Sequence, residues 1–425
     1  MTQSIRRAVV ALASLGALTI PLAACGRSGS SGSASATPAA SPGITDTQVT
    51  LGSSQILTGP ASAYAVLAQT VDAYFKAVNA AGGIQMADGK TRKVKFVYYD
   101  DAFDPSRAVA NMHRLVQQDQ VFATFGQAGS SSVAAAQDFL NAQKVPQLFV
   151  FSGDSVWGTG AAKKPWTLGC PPAYTTEAAF YAQYLGQVKP HAKVAVLYEN
   201  DDLGNDLLGG FKAAIAGTGI KLVAQQSYAV TDPTVDSQIV NLAHSGADVL
   251  LDVSTPKFAA AAIAKVRQTG WKPIHLLAAV SASAQLMAAV KAGPQDQIVS
   301  YAYVKDPASP AYANDPGVQQ FRSALKQYAP KVDPNDQIAA DAWACSDAMK
   351  AALAATKAPT RAALMDAARH LDGVQSGMLV PGAAFTTNGT ADPFPLESGQ
   401  IERWSGKGFA PVGKVISFEG RTPRT

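Results

Sequence analysis

Charge is scarce in this chain: 16% of its 425 residues are Asp, Glu, Lys or Arg, and the formal net charge is +4. Without a basic run or stripe there is no electrostatic footprint for nucleic acid. Cysteine is scarcer still. Its three residues, Cys25, Cys170 and Cys345, are too few and too dispersed for a disulfide scaffold or a zinc site. The five histidines are His113, His191, His244, His275 and His370. None stands beside a serine-rich strand end, and a G-x-S-x-G elbow is missing, which argues against a serine hydrolase and leaves it the weakest of the alternatives. Past the N-terminal segment no run of eighteen apolar residues occurs, so no transmembrane helix is expected. The acidic cluster Glu199, Asn200, Asp201, Asp202 has neither the glycine nor the terminal glutamate of a calcium loop. No metal and no cofactor are predicted, and no catalytic residue is assigned.

The N-terminus carries Arg6 and Arg7, an apolar stretch from Ala8 to Ile20, and then Leu22-Ala23-Ala24-Cys25. That order is a secretory signal over residues 1–24. Its end resembles a bacterial lipoprotein signal, in which Cys25 becomes the lipidated first residue of the mature chain. The following GRSGSSGSASATPAASPG cannot bury enough apolar surface to fold, so residues 25–45 are predicted to be a flexible tether. The protein is expected outside the cytoplasm, lipid-anchored to the outer face of the cell membrane. An oxidising compartment leaves open a disulfide between Cys170 and Cys345, which the sequence alone does not decide.

The remaining chain is too long for one ordinary core. Strand patterns at Val49–Ile56, Lys93–Asp100, Val121–Gly126 and Gln147–Phe151 alternate with helical spacing at Ser62–Ala81, Pro105–Gln118 and Ser131–Gln143. After a break at 152–172 the alternation restarts: helix Tyr174–Gln187, strand Val194–Glu199, helix Leu203–Ala216, and so on to a strand at Ile274–Val280. This order predicts an α/β fold of two doubly wound lobes joined by a multi-strand hinge. Residues 46–165 plus about 285–355 are assigned to the first lobe. Residues 166–284 plus part of 356–425 are assigned to the second lobe and hinge, with a closing hairpin from Ile401–Trp404 and Lys414–Phe418.

Within GQAGSSSVAAAQ (126–137), Gly126 ends a strand and a helix starts a few residues later. In parallel α/β sheets, ligands bind beyond the carboxyl ends of strands. The first turn of a helix offers free N–H groups and a partial positive charge, so it holds an anion without lysine or arginine. Gly129 lets the backbone come close, and Ser130 and Ser131 add hydroxyl donors. The pattern predicts a carboxylate receptor; a plain helix cap is the competing reading.

TGPASAYA (58–65), NAAGGI (79–84), YDDAFDPSRAV (99–109), TFGQAGSSS (124–132), VPQLFVFSG (145–153), AVLYENDDLG (195–204), DPTVDSQIVNLAHSGADVL (232–250), TPKFAAAAIAKVRQTGW (255–271) and SASAQ (281–285) together resemble the extracellular solute-binding proteins of ABC transporters for branched-chain amino acids. The resemblance implies a type I periplasmic-binding-protein fold that closes on a small molecule and docks on permease subunits. It also implies that Ser130 binds a ligand carboxylate, that Ser152 offers backbone contacts and that Tyr64 covers the ligand. Where such relatives carry a threonine and a glutamate for the ammonium group, this chain has Gly153 and Val280, and their second-lobe aromatic is Leu203. Phe103 and Gly129 replace a small disulfide. A carboxylate site is therefore expected to survive and the ammonium site is not. So the expected ligand, a small carboxylate-bearing nutrient of the class of branched-chain amino acids or related acids, is an aliphatic or aromatic carboxylic acid without an α-amino group, held against an apolar wall of Tyr64, Tyr99, Phe151 and Trp157. The cluster Glu199 to Asp202 is expected to cap the next helix; if instead Asp201 points into the cleft and replaces the missing glutamate, an amino acid fits again. A sensor built on the same domain is the alternative to an importer component.

Overall fold

The computed structural model describes residues 39–423; Cys25, the signal segment and most of the tether lie outside the described residues. The first sheet is assembled from β1 (Gln48–Gln55), α1 (Ala65–Ala80), β2 (Ile84–Gln85), β3 (Thr91–Asp100), α2 (Pro105–Gln117), β4 (Ala123–Phe125), α3 (Ser130–Ala142), β5 (Gln147–Val150), α4 (Val156–Thr159) and β6 (Thr167–Gly169). Strand order is β2-β3-β1-β4-β5-β6, parallel except for the β2–β3 edge. Central strands β4 and β5 are buried at every position, as helices on both faces require. The α2 start shows local rules at work. Pro105 occupies the first turn, and the Asp104 carboxylate accepts from the amides of Ser106 and Arg107 at 2.7 and 3.1 Å.

The second sheet follows through α5 (Tyr174–Val188), β7 (Lys193–Glu199), α6 (Asp202–Ile215), β8 (Lys221–Tyr228), α7 (Asp236–Ala243), β9 (Val249–Val253), α8 (Pro256–Thr269), β10 (Ile274–Leu277), α9 (Ala284–Ala289) and β11 (Ile298–Ala302). The chain then forms α10 (Pro316–Tyr328), α11 (Gln337–Ala355) and α12 (Arg361–Ala368), and ends in the hairpin β12 (Ser398–Trp404) and β13 (Phe409–Ser417). The order is β13-β12-β11-β10-β9-β7-β8, with only the β11–β12–β13 pairings antiparallel. Strand β8, at an edge, alternates between exposed and partly covered residues, whereas β9 and β11 are buried throughout.

Four expectations shift. The tether ends earlier than residue 45: Ser41 N–H donates to Pro359 O at 2.9 Å, Thr50 N–H donates to Gly43 O at 2.7 Å, and Ile44 is buried. The break at 152–172 holds α4 and β6, and β6 pairs with β5, so the chain leaves the first sheet after Gly169 rather than at 165. Strand β11 pairs with β10, so the chain leaves the second sheet after Ala302 rather than near 285. The Ser62–Ala81 helix opens as a separate 3₁₀ turn, Ser62–Tyr64. Short strands such as β6 carry too little periodicity to be separated from loop by pattern alone.

The first crossing is Cys170-Pro171-Pro172-Ala173, and Cys170 is disulfide-bonded to Cys345 of α11. This bond settles the pairing left open by the sequence. It ties the crossing to a helix that packs on α1 of the first sheet. Cross-linking residues so far apart in the chain stabilises by roughly 2–4 kcal/mol.

Candidate ligand-binding site

The carboxyl ends of both sheets meet around one cavity of about 80 Å³, several times the roughly 10–15 Å³ that a single water needs. From the first sheet come Phe103 after β3, Ala128 to Ser130 after β4, and Phe151 and Ser152 after β5. From the second come Asp201 and Leu203 after β7, Thr255 after β9, Val280 after β10 and Tyr303 after β11. Tyr64, Pro171, Tyr174 and Asp341 also line the cavity. This is the place where the topology of α/β sheets puts ligands.

On the first-sheet side, α3 begins at Ser130 with Gly129 as its cap residue, and no side chain caps it. Gly129 has φ of +86°, and a Cβ there would stand 2.7 Å from the Phe103 ring. The pair that replaces a disulfide in the resemblance is thus a ring packed on a glycine. The Ser130 and Ser152 hydroxyls are hydrogen-bonded at 2.7 Å, and Trp157 Nε1 donates to Ser152 Oγ at 3.0 Å. Both serines are buried. Hydroxyls so placed can turn their hydrogens toward an incoming anion, and the helix start adds free amides.

The second-sheet side is acidic. Burial raises the Asp201 carboxyl to about 7, with help from the Glu199 charge. Its Oδ1 accepts from Gly204 N–H at 3.0 Å and caps α6. Glu177 on α5 is raised by burial to about 7; its Oε1 accepts from Ala279 N–H and from the Tyr181 hydroxyl, both at 2.8 Å. From the first-sheet side a third acid joins them: Asp341 of α11, raised well above the carboxylate range, again mainly by burial. Among the described residues no lysine, arginine or histidine lines the cavity. The two sheets also touch directly: the Tyr64 hydroxyl donates to Val280 O at 3.2 Å, and Ser155 donates through N–H and Oγ to Asp206 at 2.9 and 2.6 Å.

Of the sequence-predicted residues, Tyr64, Ser130, Ser152, Leu203 and Val280 line the cavity, whereas Ser131 and Gly153 do not. Ser131 follows Ser130 on the helix, about 100° further round, and is half-buried. Gly153 instead admits the crossing segment: a Cβ there would be 2.5 Å from Pro172 O. In the expected apolar wall, Phe151 and Tyr64 are in place. Trp157 stands behind Ser152 as its donor. Tyr99 is turned to another surface, with its hydroxyl on Asp119 and Arg114 over its ring.

Asp201 lines the cavity, and its carboxylate caps α6 through Gly204 N–H, as the capping reading of the cluster expects. Glu177 and Asp341 were not foreseen. Asp341 carried a readable signal: it lies three residues after Ile338 and four before Cys345, an acid on the buried face of an apolar helix.

The sequence profile of the periplasmic binding protein family matches residues 48–393. Curated relatives include an amino acid binding protein of Pseudomonas aeruginosa, 28% identical over 41% of this chain and 44% of its own length. A Leu/Ile/Val-binding protein homologue of Brucella abortus is 24% identical over 59% of this chain and 63% of its own. The chain thus spans less than two thirds of the length of these relatives. Similar solved structures include a fatty acid ABC transporter substrate-binding protein from Thermomonospora curvata, with a TM-score of 0.75 and 22% identity over 91% of this chain and 97% of that one. Another is a branched-chain amino acid ABC transporter protein from Thermus thermophilus with bound valine, with a TM-score of 0.75 and 16% identity over 88% and 97%. At such identities the structures speak for the fold. The profile covers most of the chain, and with two sheets meeting at one cavity this chain belongs to the type I periplasmic binding protein family.

Proposed function

We propose that this protein is the lipid-anchored solute-binding component of an ABC importer. It takes a small carboxylate-bearing nutrient, a branched-chain amino acid or a related aliphatic or aromatic acid, between its lobes and hands it to permease subunits. The observation that carries the reading is the Ser130–Ser152 hydroxyl pair at the uncapped start of α3, facing a largely apolar cavity. The binding and transport roles in the relatives' names support the transport role, and the secretory and lipoprotein pattern ending at Cys25 supports an anchor on the outer face of the membrane.

Each sheet supplies part of the wall, so the closed form gathers contacts that an open form lacks. The aromatic and aliphatic lining, from Leu67 and Phe103 to Leu203 and Ile338, suits an apolar body. Two of the acids, Asp201 and Glu177, hold their protons up to about 7, which lessens their repulsion of a carboxylate. Thermal-shift and calorimetric titration with L-leucine, 4-methylpentanoate, L-phenylalanine and 3-phenylpropanoate tests the reading. One-to-one binding without product is expected, with stabilisation of about 2.7 kcal/mol at a hundredfold excess over Kd. Sustained turnover of an ester or amide that Ser130→Ala abolishes would overturn it in favour of a hydrolase.

A further inference from the structure

The geometry points to Asp341 as the counter-ion for an ammonium group of the ligand, placing the cation site on a helix of the first lobe. This deepens the carboxylate reading and rests on it. The position that the resemblance reserves for a second-lobe carboxylate is Val280, which offers none. The cavity nonetheless holds three acids, and their hydrogen bonds separate them. Glu177 is tied to Ala279 and Tyr181, and Asp201 is tied to the start of α6. Asp341 Oδ1 is screened from solvent and has no partner.

An orphan carboxylate oxygen in a ligand cavity is costly to keep unless something arrives to meet it. The carboxyl lies beside the Tyr303 hydroxyl, which can hold it in place but leaves Oδ1 free. The titratable groups that face Asp341 are Tyr64 before α1, Tyr303 after β11, Asp336 on its own helix and Glu402 on β12. None is cationic. Burial favours the protonated form of Asp341 when the cavity is empty of cations. An ammonium group would displace that proton and leave an ion pair out of water.

Two consequences follow. A compact zwitterion with an apolar side chain would have its carboxylate at α3 and its ammonium at α11, both elements packed on the first sheet. The open first lobe could then hold the charged end, and the second lobe would close mainly on the apolar body through Leu203 and Val280. Binding would also release a proton. Because the empty site holds its proton to higher pH than the occupied one, affinity rises with pH until Asp341 loses its proton in the empty protein.

The test titrates the purified protein with three probe sets: L-leucine and L-phenylalanine, their deaminated acids 4-methylpentanoate and 3-phenylpropanoate, and the amines 3-methylbutylamine and 2-phenylethylamine. Calorimetry is run near neutral pH in two buffers of different ionisation enthalpy, on the wild type and on Asp341→Asn and Asp201→Asn. The expected result is amino-acid binding with proton release. Asp341→Asn should weaken it about ten- to hundredfold and abolish the release, while Asp201→Asn keeps it. Deaminated acids that bind the wild type as tightly as the amino acids, or amino-acid affinity and proton release unchanged in Asp341→Asn, overturn the proposal and leave the carboxylate reading standing. Amines that bind as tightly as amino acids keep Asp341 and overturn the carboxylate site instead; no binding by any probe overturns both. Should Asp341→Asn fail to fold, the wild-type comparison decides: deaminated acids that bind as tightly as the amino acids overturn the proposal.

Discussion

Two helices begin at the rim of the same cavity, and they treat their first turns in opposite ways. Helix α3 follows β4, starts on Gly129 and takes no side-chain cap, although three serines stand at its start. Helix α6 follows β7 and is capped by Asp201, whose carboxylate accepts from Gly204 N–H. The self-capped start has spent its positive end on its own chain. The uncapped start keeps its amides for something that comes from outside. A hydroxyl at the first helical position does not compete for those amides, whereas a carboxylate at the cap position does. The difference separates a stability device from a binding device on two otherwise equivalent strand–turn–helix units.

Replacing a glycine by alanine at each start should break the comparison most sharply. At Gly204 in α6 a Cβ would stand 1.8 Å from Glu199 O, a backbone atom that cannot move alone. Gly204→Ala is expected to cost about 3 kcal/mol in chemical denaturation. At Gly129 the obstacle is the Phe103 ring, a side chain, together with a φ of +86°. Gly129→Ala is expected to cost about 1–2 kcal/mol of stability, and its larger effect should be on ligand affinity, since Phe103 is pushed into the cavity. Equal stability losses with unchanged affinity would refute the distinction.

Ser130→Ala should show the same contrast at smaller scale. Ser152 keeps the Trp157 and Asp154 N–H donors, so the stability loss should stay within about 1 kcal/mol. Affinity for a carboxylate probe should fall about tenfold or more, measured by calorimetry. A variant that loses stability and keeps affinity would make Ser130 a structural hydroxyl.

The uncapped start was legible in the chain because its parts are contiguous: strand, Gly126, Gly129 and Ser130 lie within a few residues. The alternation of strands and helices was legible for the same local reason, and Pro105 after Asp104 marked α2 almost to the residue. Of the acids of the cavity only Asp201 was legible, as one of a local cluster; how the three acids come together was not. Glu177, Asp201 and Asp341 reach the cavity from α5, from the start of α6 and from α11, elements brought together only by the crossings at 170–173 and after Ala302. The direction of the chain at those crossings depends on β6 and β11, short strands whose pairing is decided by the sheet rather than by their own residues. The Cys170–Cys345 bond has the same character, since its two ends approach only once both crossings are made.

The finest test lies in how the α6 cap depends on pH. Asp201 titrates at about 7 in the folded protein because it is buried and faces Glu199, Asp202 and Asp154; unfolded, it would titrate at about 3.9. Between these values the folded chain binds the extra proton, so the contribution of Asp201 to stability is greatest below about 4 and falls as pH rises to about 7. Asp201→Ala loses the cap, a cost of about 1 kcal/mol, but it also loses the repulsion. Thermal denaturation should therefore show a wide gap between wild type and variant near pH 5 and a narrower one near pH 8. The first turn of α3 carries no acidic residue, so the stability gap of Ser130→Ala should change less over the same range. If both gaps move together with pH, the two helix starts are electrostatically alike, and the cavity's polarity comes from its remaining acids rather than from its hydroxyl side.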